Sequence, residues 1–231
     1  MREIVFDTET TGLSFSNGDR LVEIGCVELI NRVETGRTFH CYFNPERAMN
    51  AEAQAVHGLS DAFLADKPIF HHQAEALLDF IGDAPLVAHN AGFDFGFLNG
   101  ELGRCGRAAI GLERMVDTLQ IARTTFPGAK HTLDALCTRF GVDRSHRVLH
   151  GALLDAQLLA QVYVELTGGR QIGLTLVAET VVEAPMLRAA PVAATARPPR
   201  QFSPSEDEVA RHRAFIATIS NAVWGETAAS G

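Results

Sequence analysis

A chain of 231 residues with 46% hydrophobic content is long enough for one well-buried domain plus extensions. No apolar run approaches the length needed to span a bilayer, and Met1-Arg2-Glu3 leads straight into a strand pattern without a signal-peptide profile, so a soluble, cytoplasmic protein with no membrane partner is expected. Four scattered cysteines (Cys26, Cys41, Cys105, Cys137) lack any Cys-x-x-Cys spacing and argue against a zinc site or a disulfide framework, while a net charge of −8 leaves few cations to hold a polyanion.

In chain order, residues 3–7 predict a first strand that runs into Asp7-Thr8-Glu9. Residues 20–30 alternate as a second strand after a turn over 14–19 that contains Asn17-Gly18. A third, over 37–43 and stopped by Asn44-Pro45, closes an antiparallel meander with polar residues facing outward. Residues 50–66 read as helical, broken at Gly58, with Ser60 as the N-cap of a short second helix. An amphipathic helix over 73–81 turns Leu77, Leu78 and Ile81 inward. Residues 85–89 are a short buried strand, parallel to the first, and Asn90 opens a helix whose apolar face includes Phe97 and Leu98. Asp117 reads as an N-cap with Gln120 completing a box-like pair. Residues 131–136 start a further helix that stops at Gly141, and His131 and Asp134 on it take the structural reading. A last long helix runs to about Leu166 and ends at Thr167-Gly168-Gly169.

Beyond Gly169 the periodicity vanishes. Residues 170–202, with Pro185, Pro191, Pro198 and Pro199, read as a flexible linker between a domain over 1–169 and a C-terminal segment over 203–231. That segment opens a short helical tail with Ser and acids, then shows an apolar stripe of Val209, Phe215, Ile216, Ile219, Val223 and Trp224. A tail too short to fold alone docks onto a partner or back onto its own domain.

The chemistry lies in three places. Asp7 and Glu9, two residues apart on a strand, point to one face, where two carboxylates repel unless a divalent cation such as Mg²⁺ or Mn²⁺ neutralises them. An isolated Asp-x-Glu is common at solvated strand ends and decides nothing alone. Downstream stand His89-Asn90-Ala91-Gly92-Phe93-Asp94 and His150-Gly151-Ala152-Leu153-Leu154-Asp155-Ala156. Asp94 is either a first-turn acid favoured by the helix dipole or a third ligand, brought close by a parallel strand. Five residues on a helix is about 1.4 turns, so His150 belongs to the approach loop and Asp155 to the helix.

Taken together, Asp7 with Glu9, then Asp94, then His150 followed by Asp155, resemble the three-motif signature of the DEDDh 3'-5' exonucleases, and the wording Phe-Asp-Thr-Glu-Thr-Thr-Gly-Leu resembles that family's proofreading members. The resemblance covers about the first three quarters of the chain. It implies an α/β, ribonuclease H-like mixed sheet flanked by helices, and two divalent cations held by Asp7, Glu9, Asp94 and Asp155. His150 would be the general base, since imidazole titrates near ~6.5. Thr10, Leu13, His57, Asn90 and Phe93 would surround a single-stranded 3' end of DNA, although a His beside a Gly, as His57 is, more often serves a turn. Residues 171–176, with Gln171, Leu174 and Leu176, look like a sliding-clamp peptide, although an accidental apolar stretch reads the same way. Phe215, Ile219 and Trp224 would meet a polymerase (alpha) subunit. The competing readings are a DEDDh exoribonuclease that trims RNA ends and a non-catalytic adaptor joining clamp to polymerase.

Overall fold

A computed structural model describes residues 1–145, 149–169 and 203–220. Its N-terminal apolar run forms β1 (Arg2–Thr10), which pairs antiparallel with β2 (Leu21–Ile30); β2 in turn pairs antiparallel with β3 (Val33–Tyr42). Asn31 and Arg32 join β2 to β3 with left-handed φ of 51° and 65°. Such backbone matches the twist of a two-residue hairpin loop. The third strand therefore starts at Val33, ahead of the expected Arg37, because the connection takes only two residues.

Next come α1 (Ala51–His57), α2 (Asp61–Leu64) and α3 (Phe70–Ile81). Ser60 caps α2 as expected, its hydroxyl accepting from the Phe63 amide at 3.2 Å; a cap of this kind contributes ~1 kcal/mol. The chain then enters β4 (Leu86–Ala88), parallel to β1, and α4 (Ala91–Arg104). A three-residue strand, β5 (Met115–Asp117), runs parallel to β4 and gives the sheet order β3-β2-β1-β4-β5. Sequence reasoning saw only the following helix start at Asp117, since three residues are too few to show alternation. The unit is completed by α5 (Thr118–Thr125), α6 (Leu133–Phe140) and α7 (Ala152–Leu166).

Alternation along β1 feeds two cores. Ile4 and Phe6 pack with Ile24 and Cys26 against α3 and α4 through Phe70, Leu77, Phe95 and Leu98, with Phe6 and Phe95 edge to face at 5.8 Å. Val5, Val27 and Leu29 point the other way, onto Ala156, Leu159 and Tyr163 of α7. Covered on both faces, β2 buries even Glu23 and Glu28, which corrects the expectation of outward polar residues on that strand; β3 alone carries them. Each buried acid has a partner: Glu28 accepts from Arg2 at 2.7 Å, and Glu3 from the Tyr163 hydroxyl at 2.7 Å. Unpaired, either would cost several kcal/mol.

Gly25 decides how close α7 comes. A Cβ there would fall 2.2 Å from the Leu153 amide nitrogen, so the first turn of α7 lies directly on the β2 backbone. Gly25 is the ladder partner of Asp7. That contact brings Asp155, one turn into α7, over the acids of β1.

The chain divides into two compact units, Met1–Leu176 and Val177–Gly231. Within the second, the described residues form α8 (Glu206–Ile216), opened by a capping box between Ser205 and Glu208. None of its residues is buried, and Phe215 is 65% exposed. The linker over 170–202, the peptide with Gln171, Leu174 and Leu176, and Val223 and Trp224 lie outside the described residues.

Candidate active site

Asp7 and Glu9 stand on the α7 face of β1. Glu9, His150 and Asp155 each offer a ligand atom within 4.8 Å of the others. Asp155 is 3% exposed, and its Oδ2 lies 3.2 Å from His150 Nδ1. His150 sits on the loop before α7, as its spacing from Asp155 requires; its amide donates to the Val56 carbonyl at 3.3 Å, which ties the loop to the end of α1.

Asp94 arrives from the opposite side. Asn90 adopts a left-handed φ of 65°, a conformation that Asn tolerates better than most residues, and the chain reverses there from β4 into α4. The first turn of α4 then carries Asp94 to β1, where it accepts from the Thr8 hydroxyl at 2.7 Å. The Asp117 carboxylate receives the amides of both Asn90 and Leu119, at 3.0 and 2.9 Å, and so fixes this turn to the start of α5.

The electrostatics of the cluster are those of buried acids that oppose one another's charge. Burial, then Asp94, Glu9, Asp155 and Glu23, push the Asp7 carboxyl well above its ordinary value. Burial likewise drives Asp94 up to about 7, against the opposing hydrogen bond from Thr8. Carboxylates that raise one another in this way fit a divalent cation, which takes oxygen ligands and removes the repulsion. The residues present therefore suit such an ion.

The sequence missed Glu23. It is the cross-strand partner of Glu9, 2% exposed, with Oε1 at 2.7 Å from His40 Nε2. An acid on the otherwise apolar face Leu21, Gly25, Val27, Leu29 was the available signal. His57 is likewise buried: Nδ1 accepts from the Leu59 amide at 3.0 Å, which makes Nε2–H the donor, directed at the Thr10 backbone. Burial lowers the His57 pKa, so the ring is held neutral.

Of the other substrate candidates, Thr10 is buried, its hydroxyl donating to the Gly12 carbonyl at 2.6 Å, and Asn90 is exposed at the mouth of the turn. Leu13, 86% exposed, shares a groove of about 380 Å³ with Phe15, Phe93 and Phe97. A second cavity, of about 460 Å³, runs from Asp7, His150 and Asp155 to His89, Arg123 and His131. Sequence reasoning gave His131 a purely structural part; its Nε2 does bond the Phe126 carbonyl at 2.8 Å, but the ring also faces this cavity. Asp134 instead pairs with Arg144 at 2.9 Å.

A mixed sheet whose central strand ends in acids, met by Asp94 from one helix and Asp155 with His150 from another, is the arrangement of a phosphodiester-cleaving exonuclease, and the chain belongs to the exonuclease family, whose model matches residues 4–163. The relatives narrow the class. A Rickettsia felis protein named DNA polymerase III subunit epsilon is 49% identical over 222 residues, covering 95% of this chain and 97% of its own. The Escherichia coli K12 protein of the same name is 41% identical over 94% of this chain and 93% of its own. Among solved structures, exonuclease X in complex with 5' overhanging duplex DNA is 26% identical, with a TM-score of 0.56 over 71% of this chain and 90% of that one. The E. coli exonuclease I–ssDNA complex in its zinc-bound form, at 16% identity and a TM-score of 0.62, shares the fold over 72% of this chain and 41% of that one. No helix among the described residues is long and apolar enough to cross a membrane.

Proposed function

We propose that this chain is the 3'-5' proofreading exonuclease of a bacterial replicative DNA polymerase, removing mispaired 3'-terminal nucleotides by phosphodiester hydrolysis. The observation that carries this reading is the meeting of Asp7, Glu9, Asp94 and Asp155 with His150 in a chain 49% identical over nearly its whole length to a polymerase III epsilon subunit.

Asp7, Glu9, Asp94 and Asp155 would hold two divalent cations, Mg²⁺ or Mn²⁺, which when bound stabilise charge on the attacked phosphorus and the leaving 3'-oxygen. His150 takes the proton from the attacking water. With Nδ1–H directed at the Asp155 carboxylate, Nε2 is the proton acceptor and the ring is held in the tautomer a base requires. Leu13 and Phe93 give apolar contact to the terminal base, while the His57 Nε2–H, Thr10 and Asn90 face the sugar end. Reaching this groove from a duplex requires unpairing, which is cheapest for a mismatch.

The name of the relatives supports partnership with a polymerase. In this reading the segment over 203–231, through Phe215, Ile219 and Trp224, docks on the polymerase alpha subunit, and Gln171, Leu174 and Leu176 plug into the sliding clamp. The domain over 1–169, joined to that segment by the linker over 170–202, works in the bacterial cytoplasm at the replication fork.

One assay tests the reading: release of a 3'-label from matched and mismatched DNA primer–templates and from an RNA strand, with Mg²⁺ or Mn²⁺, with and without the polymerase subunit. Mismatched DNA should be shortened at least about tenfold faster than matched, equivalent to ~1.4 kcal/mol of unpairing saved. A chain lacking residues 203–231 should keep its activity on single strands but gain nothing from added polymerase. Faster loss of RNA, or equal rates on matched and mismatched ends, would overturn the proofreading assignment.

A further inference from the structure

The carboxylates that suit a cation are poor neighbours for the rest of a DNA strand. Phosphates on the retained side of the scissile bond carry full negative charge past Asp7, Glu9 and Asp155, in a protein whose net charge is −8. Affinity for such a strand comes chiefly from Lys and Arg at its phosphates. A side-chain cation beside the site, separate from the ions at its centre, would offset that repulsion.

The cavity that includes Asp7, His150 and Asp155 shares no lining residue with the groove at the start of α4. The groove at Leu13 and Phe93 is mainly apolar and suits the terminal base. The larger one, about 460 Å³, has the opposite character: beyond Asp7, His150 and Asp155 its far wall presents Arg123, His131 and His89. The Arg123 side chain, on the exposed side of α5, makes no hydrogen bond or ion pair among the described residues, whereas Arg2, Arg20, Arg37, Arg47, Arg107 and Arg144 each pair with an acid. The wall behind it is fixed. His131 is anchored on the Phe126 carbonyl, and His89 Nδ1 lies 2.9 Å from the Thr118 hydroxyl. An unpaired guanidinium on a fixed wall, facing carboxylates across a cavity that includes the reacting centre, is suited to a phosphate, which it can grip through two parallel N–H bonds.

We propose that Arg123, with His131 beside it, holds the phosphate one nucleotide to the 5' side of the scissile bond, so that this wall grips the strand that stays and not the nucleotide that leaves. The inference rests on the exonuclease reading and assigns that site its contact to the retained strand. It accounts for how an acidic protein keeps its substrate in register between successive cuts.

Full-length wild type and Arg123→Ala are compared, with Mn²⁺, on a single-stranded DNA oligonucleotide and on the p-nitrophenyl ester of thymidine 5'-monophosphate, which has no phosphate upstream of the bond cut. Arg123→Ala should lose about tenfold to a hundredfold in kcat/KM on DNA, chiefly through KM, and at least about tenfold less on the ester. The salt dependence of KM for DNA should become shallower by about one unit of slope. A neutral methylphosphonate at the first linkage upstream of the scissile one should cost wild type the same factor and cost Arg123→Ala little more, while Arg123→Lys should recover part of the loss. Equal losses on DNA and ester, no loss on DNA, or equal methylphosphonate penalties for both proteins would each overturn the assignment. If wild type cleaves neither substrate, the exonuclease reading itself fails and this contact falls with it.

Discussion

Asp94 and Asp7 are held in a state the folded chain would avoid if stability alone shaped it. Both sit where burial and neighbouring acids oppose their charge, Asp94 titrating at about 7 and Asp7 well above its ordinary value. An unfolded carboxyl ionises near ~3.9, so between that pH and about 7 the metal-free folded chain binds more protons than the unfolded one. Its stability must therefore fall as pH rises through this window, by up to about 1.4 kcal/mol per pH unit for each proton held. Thermal denaturation in EDTA from pH 4.5 to 7.5 should show a declining Tm, and Mn²⁺ should restore more of it at the upper end. A Tm that rises with pH in EDTA would contradict the assignment of these shifts. The carboxylates were legible in the sequence because Asp7, Glu9, Asp94 and Asp155 stand in recognisable wording. Glu23 was not, because an acid inside a strand reads as solvent-facing until a helix is known to cover that face.

Elements, more than single side chains, bring the cluster together. Three chain segments far apart in sequence must reach one point: the end of β1, the first turn of α4 and the start of α7. The left-handed Asn90 turns α4 back toward β1, and Gly25 lets α7 lie on the sheet. Gly25→Ala would place a methyl group inside the Leu153 backbone, so α7 must move away from Asp7. We expect a loss of about 1–3 kcal/mol in stability from the forced shift. Activity should fall further, by about a hundredfold, because a displacement near 1 Å at Asp155 and His150 is costly to catalysis. Urea denaturation and initial rates check both; full activity in a folded Gly25→Ala protein would show that the close approach of α7 does not set the site. Two helix starts were readable from their capping residues, Ser60 and Asp117, each accepting a bond from its own first turn, whereas the Thr132 cap of α6 emerged only in the structure. The short β5 and the early start of β3 were not, since both depend on partners and on a two-residue turn, not on a local pattern.

At the scale of the whole molecule, the fold is a mixed sheet that keeps one end of its central strand for chemistry and spends both faces on cores. Its class was legible through the resemblance carried by the three motifs, and the order strand, helix, strand gave the parallel pairing of β4 with β1; the cavity wall of Arg123 and His131 was not legible, because it forms only when α5 and the start of α6 fold against the sheet edge. In the function proposed above, a chain with a net charge of −8 concentrates positive charge at the phosphates of the retained strand and leaves much of its attachment to DNA to the polymerase. The most direct measurement of the central claim pairs rate with stability in Asp7→Asn, which keeps the shape of the side chain and removes its charge. With Mn²⁺, release of the 3'-terminal nucleotide from single-stranded DNA should fall by at least about a thousandfold, an effect of ~4 kcal/mol on the barrier. In EDTA at pH 7.5 the same variant should melt above wild type, because the mutual repulsion is relieved, and Mn²⁺ should add little to its Tm. A variant that melts lower and still releases nucleotides at the wild-type rate would contradict the account, because the buried acids would then be serving the fold and not the reaction.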